Sequence, residues 1–379
     1  MDFDLSEEQS LLKDSVEKLI LQNYDFEQRK KYLKLPEGFS PDLWARYAEM
    51  GLLGLPFAEA DGGFGGGAVE TMIVMEAFGR GLVLEPYFAT VVLAGGLLRH
   101  AASPAQRAEL IPAIAAGTLR LAFAHAERQA RYDLADVTTA ARESAGAWRV
   151  SGEKSLVLAG EHADRLIVSA RVSGAQRAHD GIGLFLVDAK APGVSRRGYA
   201  LQDATRAAEI SLSDTQAIPL GVPGEAFPVI ARVVDEAIAA LCAEAVGVMA
   251  AMHEVTLDYL RTRKQFGRAI GQFQVLQHRA VDMLVAIEQA RSMAMFATMM
   301  AAEADATDRR RAMAAAKIQI GRSGHKVGQE AIQLHGGIGM TMEYKVGHYF
   351  KRMTMIELLF GDADHHLAEL AAMGGLIGG

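Results

Sequence analysis

The chain has 379 residues, half of them hydrophobic and 22% charged, and a formal net charge of −7. This length can bury two or three packed layers rather than one small core, and the acidic balance argues against generic nucleic-acid binding. Cys242 is the only cysteine, which excludes an intramolecular disulfide framework and a cysteine-based metal cluster. No window reaches the roughly 20 uninterrupted apolar residues that a bilayer needs, and the acidic start lacks the order of a signal peptide. We therefore expect a cytoplasmic protein with no membrane segment.

Residues 1–118 have the spacing of helices. Ser6, with Glu7 and Glu8 behind it, predicts a helix N-cap with acids in the first turn, and apolar residues follow at helical spacing. The glycine run at residues 62–67 lacks the lysine of a P-loop and the strand context of a dinucleotide fingerprint. We interpret it as a turn that precedes a helix over residues 69–78.

Residues 119–225 change to short β-rich runs. Strands are predicted at Trp148–Val150, which we expect to end at Gly152, and at Arg165–Ser169 and Gly183–Val187. Turn dipeptides separate these runs. Several short strands at this spacing predict a small barrel or sandwich between two helical halves, with consecutive strands pairing locally.

From residue 226 to the end the pattern returns to helix. Apolar residues at helical spacing run through residues 229–249, 293–300 and 312–334. The charged segment Glu303–Arg311 separates the last two runs and predicts a turn. Three or four long helices in succession indicate a helical bundle.

A cationic turn separates two of these helices. Arg263 and Lys264 arrive together there, Phe266–Gly267 interrupts the helical pattern, and Gln274 stands at the entry to the next apolar run. Fixed cations beside a helix N-terminus suit a phosphate-bearing ligand, because the free backbone N–H groups and the helix dipole both favour an anion. A solvated basic turn is the alternative that the pattern alone leaves open.

Two motifs carry a resemblance to a known family. Arg263–Gly267 with the later Gln274, and the segment Gln333–Gly339, resemble the two flavin-binding signatures of the acyl-CoA dehydrogenase family, at the family's spacing. The resemblance covers nearly the whole chain. It implies an α+β multidomain fold with an N-terminal α-helical domain (1–118), a central small β-barrel (119–225) and a C-terminal four-helix bundle (226–379). It also implies an FAD-dependent enzyme that oxidises an acyl-CoA thioester to the 2-enoyl-CoA.

By the same resemblance FAD is bridged between chains, so that the protein is an oligomer. The residues implied for FAD binding are Arg263, Phe266, Gln274, Gln333, Gly336, Gly337, Gly361, Asp362, Phe123 and His125. A guanidinium group suits pyrophosphate oxygens, and adjacent glycines let a backbone approach a ligand closely. Two alternatives stay open, because an ordinary helix C-cap also needs a glycine such as Gly336 and Asp362 also suits a helix cap.

The segment expected to lie along the flavin ring departs from the family pattern. Ala126 stands where a threonine hydrogen-bonds the flavin, Leu156 where a tryptophan stacks on it, and Leu158 where a second threonine is usual. His125 is a candidate replacement donor, although a lone histidine is more often structural. We expect the chain to hold a flavin ring weakly or in a different manner.

The catalytic base that the family requires is missing at both of its usual positions. Removal of the α-proton needs a carboxylate in an apolar pocket beside the flavin, but Phe360 and Ala237 occupy the two positions. Glu236 lies one residue from the second position, a rotation of about 100° on a helix. Glu244 lies two turns beyond Ala237 on the same face, in an apolar segment where a carboxylate is costly unless paired. Both glutamates are candidates for the base, and a buried ion pair is the alternative for Glu244.

These departures suggest a subunit rather than a complete enzyme. The chain is similar to a small subunit, and we expect an α2β2 assembly in which a homologous large subunit supplies the base. The other expected partners are the acyl-CoA substrate, a second copy of the chain and an electron-accepting flavoprotein, with neither nucleic acid nor membrane. An acyl-CoA oxidase and a non-catalytic structural subunit without flavin are the rival classes.

No metal site is expected, because the i,i+1 spacing of His365 and His366 points them apart.

Overall fold

The computed structural model describes residues 5–374, and these residues form two compact units. The first unit contains residues 5–31, Ala68–Val83 and residues 238–374. The second contains Tyr32–Gly67 and Leu84–Ala237. The predicted domain bounds 1–118, 119–225 and 226–379 stay predictions, and their outer ends lie outside the described residues.

Helices occupy both ends of the described chain and strands occupy its middle. The helices are α1 (Glu7–Asn23), α2 (Phe26–Tyr32), α3 (Pro41–Glu49), α4 (Ala68–Gly81), α5 (Gly95–Ala101), α6 (Pro104–Ala115), α7 (Phe227–Thr262), α8 (Gln274–Met300), α9 (Ala306–His335), α10 (Lys345–Leu358) and α11 (Ala363–Ala372). The strands are β1 (Leu121–Ala124), β2 (Ala140–Ser144), β3 (Ala147–Leu158), β4 (Arg165–Arg171), β5 (Ile182–Asp188), β6 (Val194–Ala200), β7 (Arg206–Leu220), β8 (Lys264–Gln265) and β9 (Arg268–Ala269). None of the described helices combines the length and the apolarity that crossing a bilayer takes.

The two local predictions at the N-terminal end are confirmed. Ser6 caps α1 through a capping box, in which its hydroxyl accepts the N–H of Gln9 and the Gln9 side chain accepts the N–H of Ser6. The glycine run forms a turn, with Gly62 and Gly65 at φ +88° and +70°. Helix α4 follows from Ala68 to Gly81, three residues longer at its C-terminal end than predicted.

Strands β1 to β7 form one sheet in the second unit. The consecutive pairs β2–β3, β4–β5 and β6–β7 are antiparallel, as local pairing predicts. β1 instead pairs in parallel with β4, and β7 pairs with both β3 and β5. Since β5 also pairs with β4, and β4 meets β2 at one residue pair, the strands close into a small barrel around an interior of Ala, Val, Leu, Ile and Phe side chains. The predicted strand end at Gly152 is wrong, because β3 continues through Gly152 with two register shifts against β7.

In the first unit, α8, α10 and α11 each pack on α9. Helix α9 begins at Ala306 and is capped by Asp305, whose carboxylate accepts the N–H groups of Thr307 (2.8 Å) and Asp308 (2.9 Å). The predicted turn over Glu303–Arg311 is therefore wrong beyond Asp305. This N-cap starts the helix inside the charged segment.

Helices α4 and α7 cross with their backbones in contact. A Cβ on Gly79 of α4 would lie 2.1 Å from the carbonyl oxygen of Glu244 on α7. A Cβ on Gly247 of α7 would lie 1.9 Å from the carbonyl oxygen of Glu76 on α4. Only glycine at these two positions permits this crossing.

Helix α8 is apolar on two faces. Its inner face buries small and medium side chains such as Ala280, Met283 and Ala290. The outer face exposes further apolar side chains, which are Val275, Val281, Leu284, Val285, Phe296 and Met299. We call these six residues the outer α8 face.

Candidate cofactor-binding and catalytic site

The cationic motif forms a small hairpin between α7 and α8. β8 pairs with β9 through Lys264↔Ala269 and Gln265↔Arg268, which leaves Phe266 and Gly267 as the two turn residues. Both have positive φ, +53° and +78°, as a two-residue hairpin turn requires. Phe266 is 91% exposed despite its apolar ring. A non-glycine residue held at positive φ with an exposed ring marks a strained element that suits a binding role.

The cationic side of this hairpin is open to an anion. Among residues 5–374, Arg263 has no ion pair or side-chain hydrogen bond, and it is exposed. Arg268 instead stacks over the ring of Phe273 at 4.1 Å. Gln274 is the exposed first residue of α8, and Phe273 before it provides no side-chain cap. The first N–H groups of α8 are therefore available to a phosphate.

The glycine motif follows the end of α9. Gly336 has φ +63°, which fits the C-cap alternative, while Gly337 has no positive φ. A Cβ on either glycine meets no atom of the chain within 4 Å. The packing of this chain therefore does not demand a glycine at position 337, whereas close approach of a ligand does. Gln333 is exposed on the last turn of α9.

Aromatic contacts bring the two motifs together within one chain. Tyr259, one turn before Arg263, stacks on His335 with ring centroids 4.6 Å apart. Tyr344 lies against both rings. The hairpin and the glycine pair thus flank one stack, and their open cation, free helix N–H groups and unfilled glycine surface fit the phosphate half of FAD.

In the second unit, β1 carries the residues expected beside the flavin ring. Phe123 is buried and stacks on His125 at 5.1 Å. His125 Nδ1 lies 2.8 Å from Ser169 Oγ on β4. Lys154 Nζ donates to Ser169 Oγ (3.1 Å) and to Glu127 Oε1 (2.7 Å). His125 is thus held inside a buried polar network rather than presented as an isolated donor.

The charges in this network are fixed by burial and by each other. Burial of the ring, with Lys154 beside it, lowers the pKa of His125 to about 3, so the imidazole is neutral at physiological pH. Burial alone would raise the pKa of Glu127, but Lys154 and the hydrogen bonds that Glu127 accepts lower it well below its usual range. Burial lowers the pKa of Lys154 to about 8. Sequence reasoning missed this pair, because Glu127 follows β1 and Lys154 lies in β3, and their 27-residue separation leaves no local pattern that joins them.

The other positions expected to meet the flavin present no polar side chain. Leu156 has φ +51° at a register shift of β3 and is 37% exposed. The Ala126 carbonyl accepts the N–H of Ser155 at 2.8 Å, which ties this bulge to the end of β1. Leu158 ends β3. Ala126, Leu156 and Leu158 therefore offer neither a side-chain hydrogen-bond donor nor a stacking ring.

The two candidate bases are both ion-paired. Glu244 is buried and accepts two hydrogen bonds from Arg352, Nε at 2.6 Å and Nη2 at 2.7 Å. This geometry matches the ion-pair alternative. Glu236 contacts three cationic or basic side chains, which are Arg99 (2.9 Å), His100 (2.8 Å) and Arg232 (3.3 Å). Burial raises the pKa of Glu236, but these three neighbours outweigh it and lower the pKa.

The two usual base positions hold apolar side chains in contrasting surroundings. Ala237 is fully buried in α7. Phe360 follows α10 at φ +59°, and Gly361 follows at φ +111°. Asp362 then caps α11, because its Oδ1 accepts the N–H of His365 at 2.8 Å. This confirms capping as one role of Asp362 and leaves its cofactor role a prediction.

The prediction that His365 and His366 point apart is wrong. His365 Nε2 and His366 Nδ1 lie 3.7 and 3.0 Å from the same oxygen of Glu369, since Glu369 is i+4 from one histidine and i+3 from the other. Arg310 donates to both oxygens of this carboxylate at 2.7 Å. Burial raises the pKa of Glu369, but His366 and Arg310 lower it to about 2. Arg310 and the nearby buried Lys317 oppose a metal dication here, so the group is best described as an ion-pair cluster.

The chain is similar to known proteins over nearly all of its length. Three family profiles match the chain: Acyl-CoA dehydrogenase, N-terminal domain (residues 6–118), middle domain (122–215) and C-terminal domain (226–374). A probable acyl-CoA dehydrogenase of Bacillus subtilis is 26% identical, with 96% of this chain and 97% of that protein covered.

Two solved structures are similar over nearly their full length. The ChsE4-ChsE5 complex from Mycobacterium tuberculosis is 25% identical with a TM-score of 0.87, covering 98% of both chains. The FAD complex of PigA is 26% identical with a TM-score of 0.90, covering 99% of this chain and 100% of that one. These matches confirm the expected order of a helical domain, a β-domain and a helical domain. The chain belongs to the acyl-CoA dehydrogenase family.

Proposed function

We propose that the chain is the small subunit of an α2β2 acyl-CoA dehydrogenase, in which a homologous large subunit supplies the catalytic base. The reaction is the removal of an α-proton and a β-hydride from an acyl-CoA thioester, which leaves the trans-2-enoyl-CoA. Family membership supports the reaction class. We further propose that the chain is similar to the small subunit of pimeloyl-CoA dehydrogenase. The ChsE4-ChsE5 complex, a solved structure 25% identical to this chain, supports the two-subunit form.

One contrast carries this proposal. The phosphate half of the cofactor site has the groups needed to bind an anion. Arg263 is exposed without an ion pair, α8 has no side-chain N-cap, and no atom of the chain lies within 4 Å of a Cβ at Gly337. In the catalytic half, Phe360 and Ala237 stand at the base positions, and the two candidates on α7, Glu236 and Glu244, are ion-paired. A chain with this combination is suited to bind the phosphates of FAD while another chain supplies the catalytic base.

The roles of the residues follow from their chemistry. Arg263 and the first N–H groups of α8 bind the pyrophosphate oxygens, Gln274 and Gln333 hydrogen-bond the nucleotide, and Gly337 admits it closely. Phe266 covers an apolar part of the cofactor. When bound, FAD supplies the acceptor for the β-hydride. The α-proton passes to a carboxylate of the large subunit, and a second flavoprotein then takes the electrons.

Phe123 and His125 are proposed to lie along the flavin ring. Gly361 and Asp362 are proposed for cofactor binding. His125 is neutral and engaged with Ser169, so it acts by holding the shape of β1 rather than by exchanging a proton. Glu236 and Glu244 stay the proposed carboxylates of this chain nearest to a base position, and their ion pairs leave the proton transfer to the partner.

The outer α8 face gives the assembly a physical basis. Its six exposed apolar side chains follow one helix that begins at the proposed phosphate site. Apolar stripes of this kind mark protein–protein contacts. We propose that the homologous large subunit, or a second copy of this chain, covers this face in the cytoplasm.

The decisive experiment compares the chain expressed alone with the chain co-expressed with its homologous large subunit. We expect the pair to carry one FAD for each two chains and to dehydrogenate acyl-CoA with an artificial electron acceptor. We expect the chain alone to show no turnover. A homotetramer of this chain with full FAD and normal turnover would contradict the proposal.

A non-catalytic subunit without any flavin is the second candidate, and the missing ring contacts at Ala126, Leu156 and Leu158 favour it. Absence of a flavin absorption band from the pure chain, together with an unchanged FAD content of the complex in Arg263→Ala, would establish it. Rapid reoxidation of the reduced flavin by oxygen would instead indicate an acyl-CoA oxidase.

A further inference from the structure

Lys317 is a buried cation to which the assignments above give no role. It lies on α9, is only 1% exposed, and pairs with no carboxylate among residues 5–374. Its Nζ donates instead to three backbone carbonyls, those of Ile356 (2.6 Å), Glu357 (2.9 Å) and Gly361 (3.1 Å). An ammonium group has three protons, so this arrangement uses every donor that it has.

The three carbonyls lie on the two sides of one turn. Ile356 and Glu357 are in the last turn of α10, where carbonyls lack partners within the helix and where the dipole favours a cation. Gly361 lies after the turn. Between them Phe360 has φ +59°, a conformation that a bulky residue adopts only when its surroundings impose it. Lys317 therefore ties both ends of a strained turn to α9.

This turn carries the residues that the proposed site needs next to each other. Phe360 stands at a base position of the family, and Gly361 and Asp362 are proposed for the cofactor. We propose that Lys317 is a positioning residue whose ammonium group fixes the Leu359–Gly361 turn, and thereby residues 360–362, in a single arrangement. The effect on ligand binding rests on the proposed function, whereas the effect on the turn does not.

The surroundings of Lys317 are consistent with a charged ammonium group. Burial lowers the pKa of Lys317 to about 8. Cys242 from α7, Glu357 from α10 and Asp362 after the turn face the ammonium group and oppose this shift. Three carbonyl acceptors favour the protonated form further, because a neutral amine has too few protons to serve them all.

Hydrogen exchange tests the fixed turn directly. Lys317→Met keeps the length of the side chain and removes all three donors, and Lys326→Met on the exposed side of the same helix is the matched control. We expect the amides of Leu359, His365 and His366 to exchange about tenfold faster in Lys317→Met and unchanged in the control. Amides of β4 should not change in either. Equal protection of the turn in wild type and Lys317→Met would overturn the inference.

Conservative variants separate positioning from general stability. Lys317→Arg retains a cation with several donors, so we expect it to recover a large part of the protection. If Lys317→Met does not fold, Lys317→Gln, which keeps two donors, gives the same comparison. Protection that is equally poor in Lys317→Arg and Lys317→Gln would show that volume rather than donation matters, and would also overturn the inference.

An FAD titration of the assembled complex then tests the link to the site. We expect Lys317→Met to weaken FAD binding about fivefold and Lys317→Arg to weaken it less. Unchanged affinity in Lys317→Met, with its turn loosened, would overturn the ligand part. If the wild-type complex binds no FAD, the proposed function fails, while the exchange measurement still decides whether Lys317 fixes the turn.

Discussion

Two buried carboxylates of this chain, Glu244 and Glu127, are ion-paired, and this bears on whether they can react. Glu244 accepts two hydrogen bonds from Arg352, and Glu127 accepts one from Lys154. A carboxylate in such a pair is held ionised in one geometry, whereas a base for an α-proton must reach its substrate unpaired. The sequence pointed to Glu244 through its apolar neighbours, but it did not indicate Arg352, because the two residues are 108 positions apart in the chain.

Substitution of Glu244 separates a structural from a catalytic role. Glu244→Gln removes the negative charge to which Arg352 donates two hydrogen bonds, so we expect the free energy of unfolding to fall by about 3 kcal/mol. Glu244→Leu combined with Arg352→Met removes both charges and should recover most of this loss. Urea unfolding at one protein concentration measures both. A variant Glu244→Gln that unfolds like wild type but loses turnover in the complex would make Glu244 the base.

The neutral His125 predicts a dependence of stability on pH. Its folded pKa of about 3 lies below the usual 6.5, so the unfolded chain binds a proton between these values and the folded chain does not. Stability therefore falls as pH drops below 6.5. Because the residue as a whole is half-buried rather than fully enclosed, we expect about 1 kcal/mol of this loss between pH 7 and pH 5. His125→Gln should lose that much less over the interval, and the exposed His278→Gln should behave like wild type. An identical pH profile for His125→Gln and wild type would contradict the assignment.

At the scale of elements, sequence signals succeeded where the structure is local. The Ser6 N-cap, the glycine turn before α4 and the local pairing of consecutive strands depend on neighbours in the chain, and all were predicted. The parallel pair β1–β4 depends on residues about 44 positions apart, and no local pattern reports it. In the same way, the pattern on α8 indicated apolar spacing but not that part of it would be exposed.

Substitution of Gly79 and of Gly337 distinguishes a glycine that helix packing requires from one that only a bound ligand would require. Gly79→Ala forces a Cβ into the α7 backbone, so we expect a loss of about 2 kcal/mol or more in unfolding free energy. Gly337→Ala meets open space and should leave stability unchanged. We expect Gly337→Ala nevertheless to weaken FAD binding to the complex, measured by flavin fluorescence. Full FAD affinity in Gly337→Ala would remove that residue from the proposed site.

At the scale of the whole molecule, the family and the fold were predictable and the assembly was only inferred. Two motifs at the family's spacing, within a resemblance that covers nearly the whole chain, identified the family and with it the fold. The departures from the family pattern, at Ala126, Leu156 and Phe360, were visible in the sequence as well. The partner that compensates for them is not encoded locally, since an interface is a property of two surfaces.

The outer α8 face yields a test of the assembly. Val281→Glu with Val285→Glu places two charges on this face, so we expect the complex to dissociate in light scattering while the circular dichroism spectrum is retained. Val222→Glu, at an equally exposed apolar residue of the second unit, is the control and should leave the mass unchanged. An intact complex in the double variant would show that another surface joins the subunits.

The two-sided α8 also has a consequence for how the protein is made. A newly folded chain exposes this apolar surface to water until its partner subunit binds. Unassembled subunits of this kind are prone to aggregation and to degradation. The amount of this protein in a cell should therefore follow the supply of its companion, and synthesis of both from one transcript would raise the yield more than a stronger promoter for this chain alone.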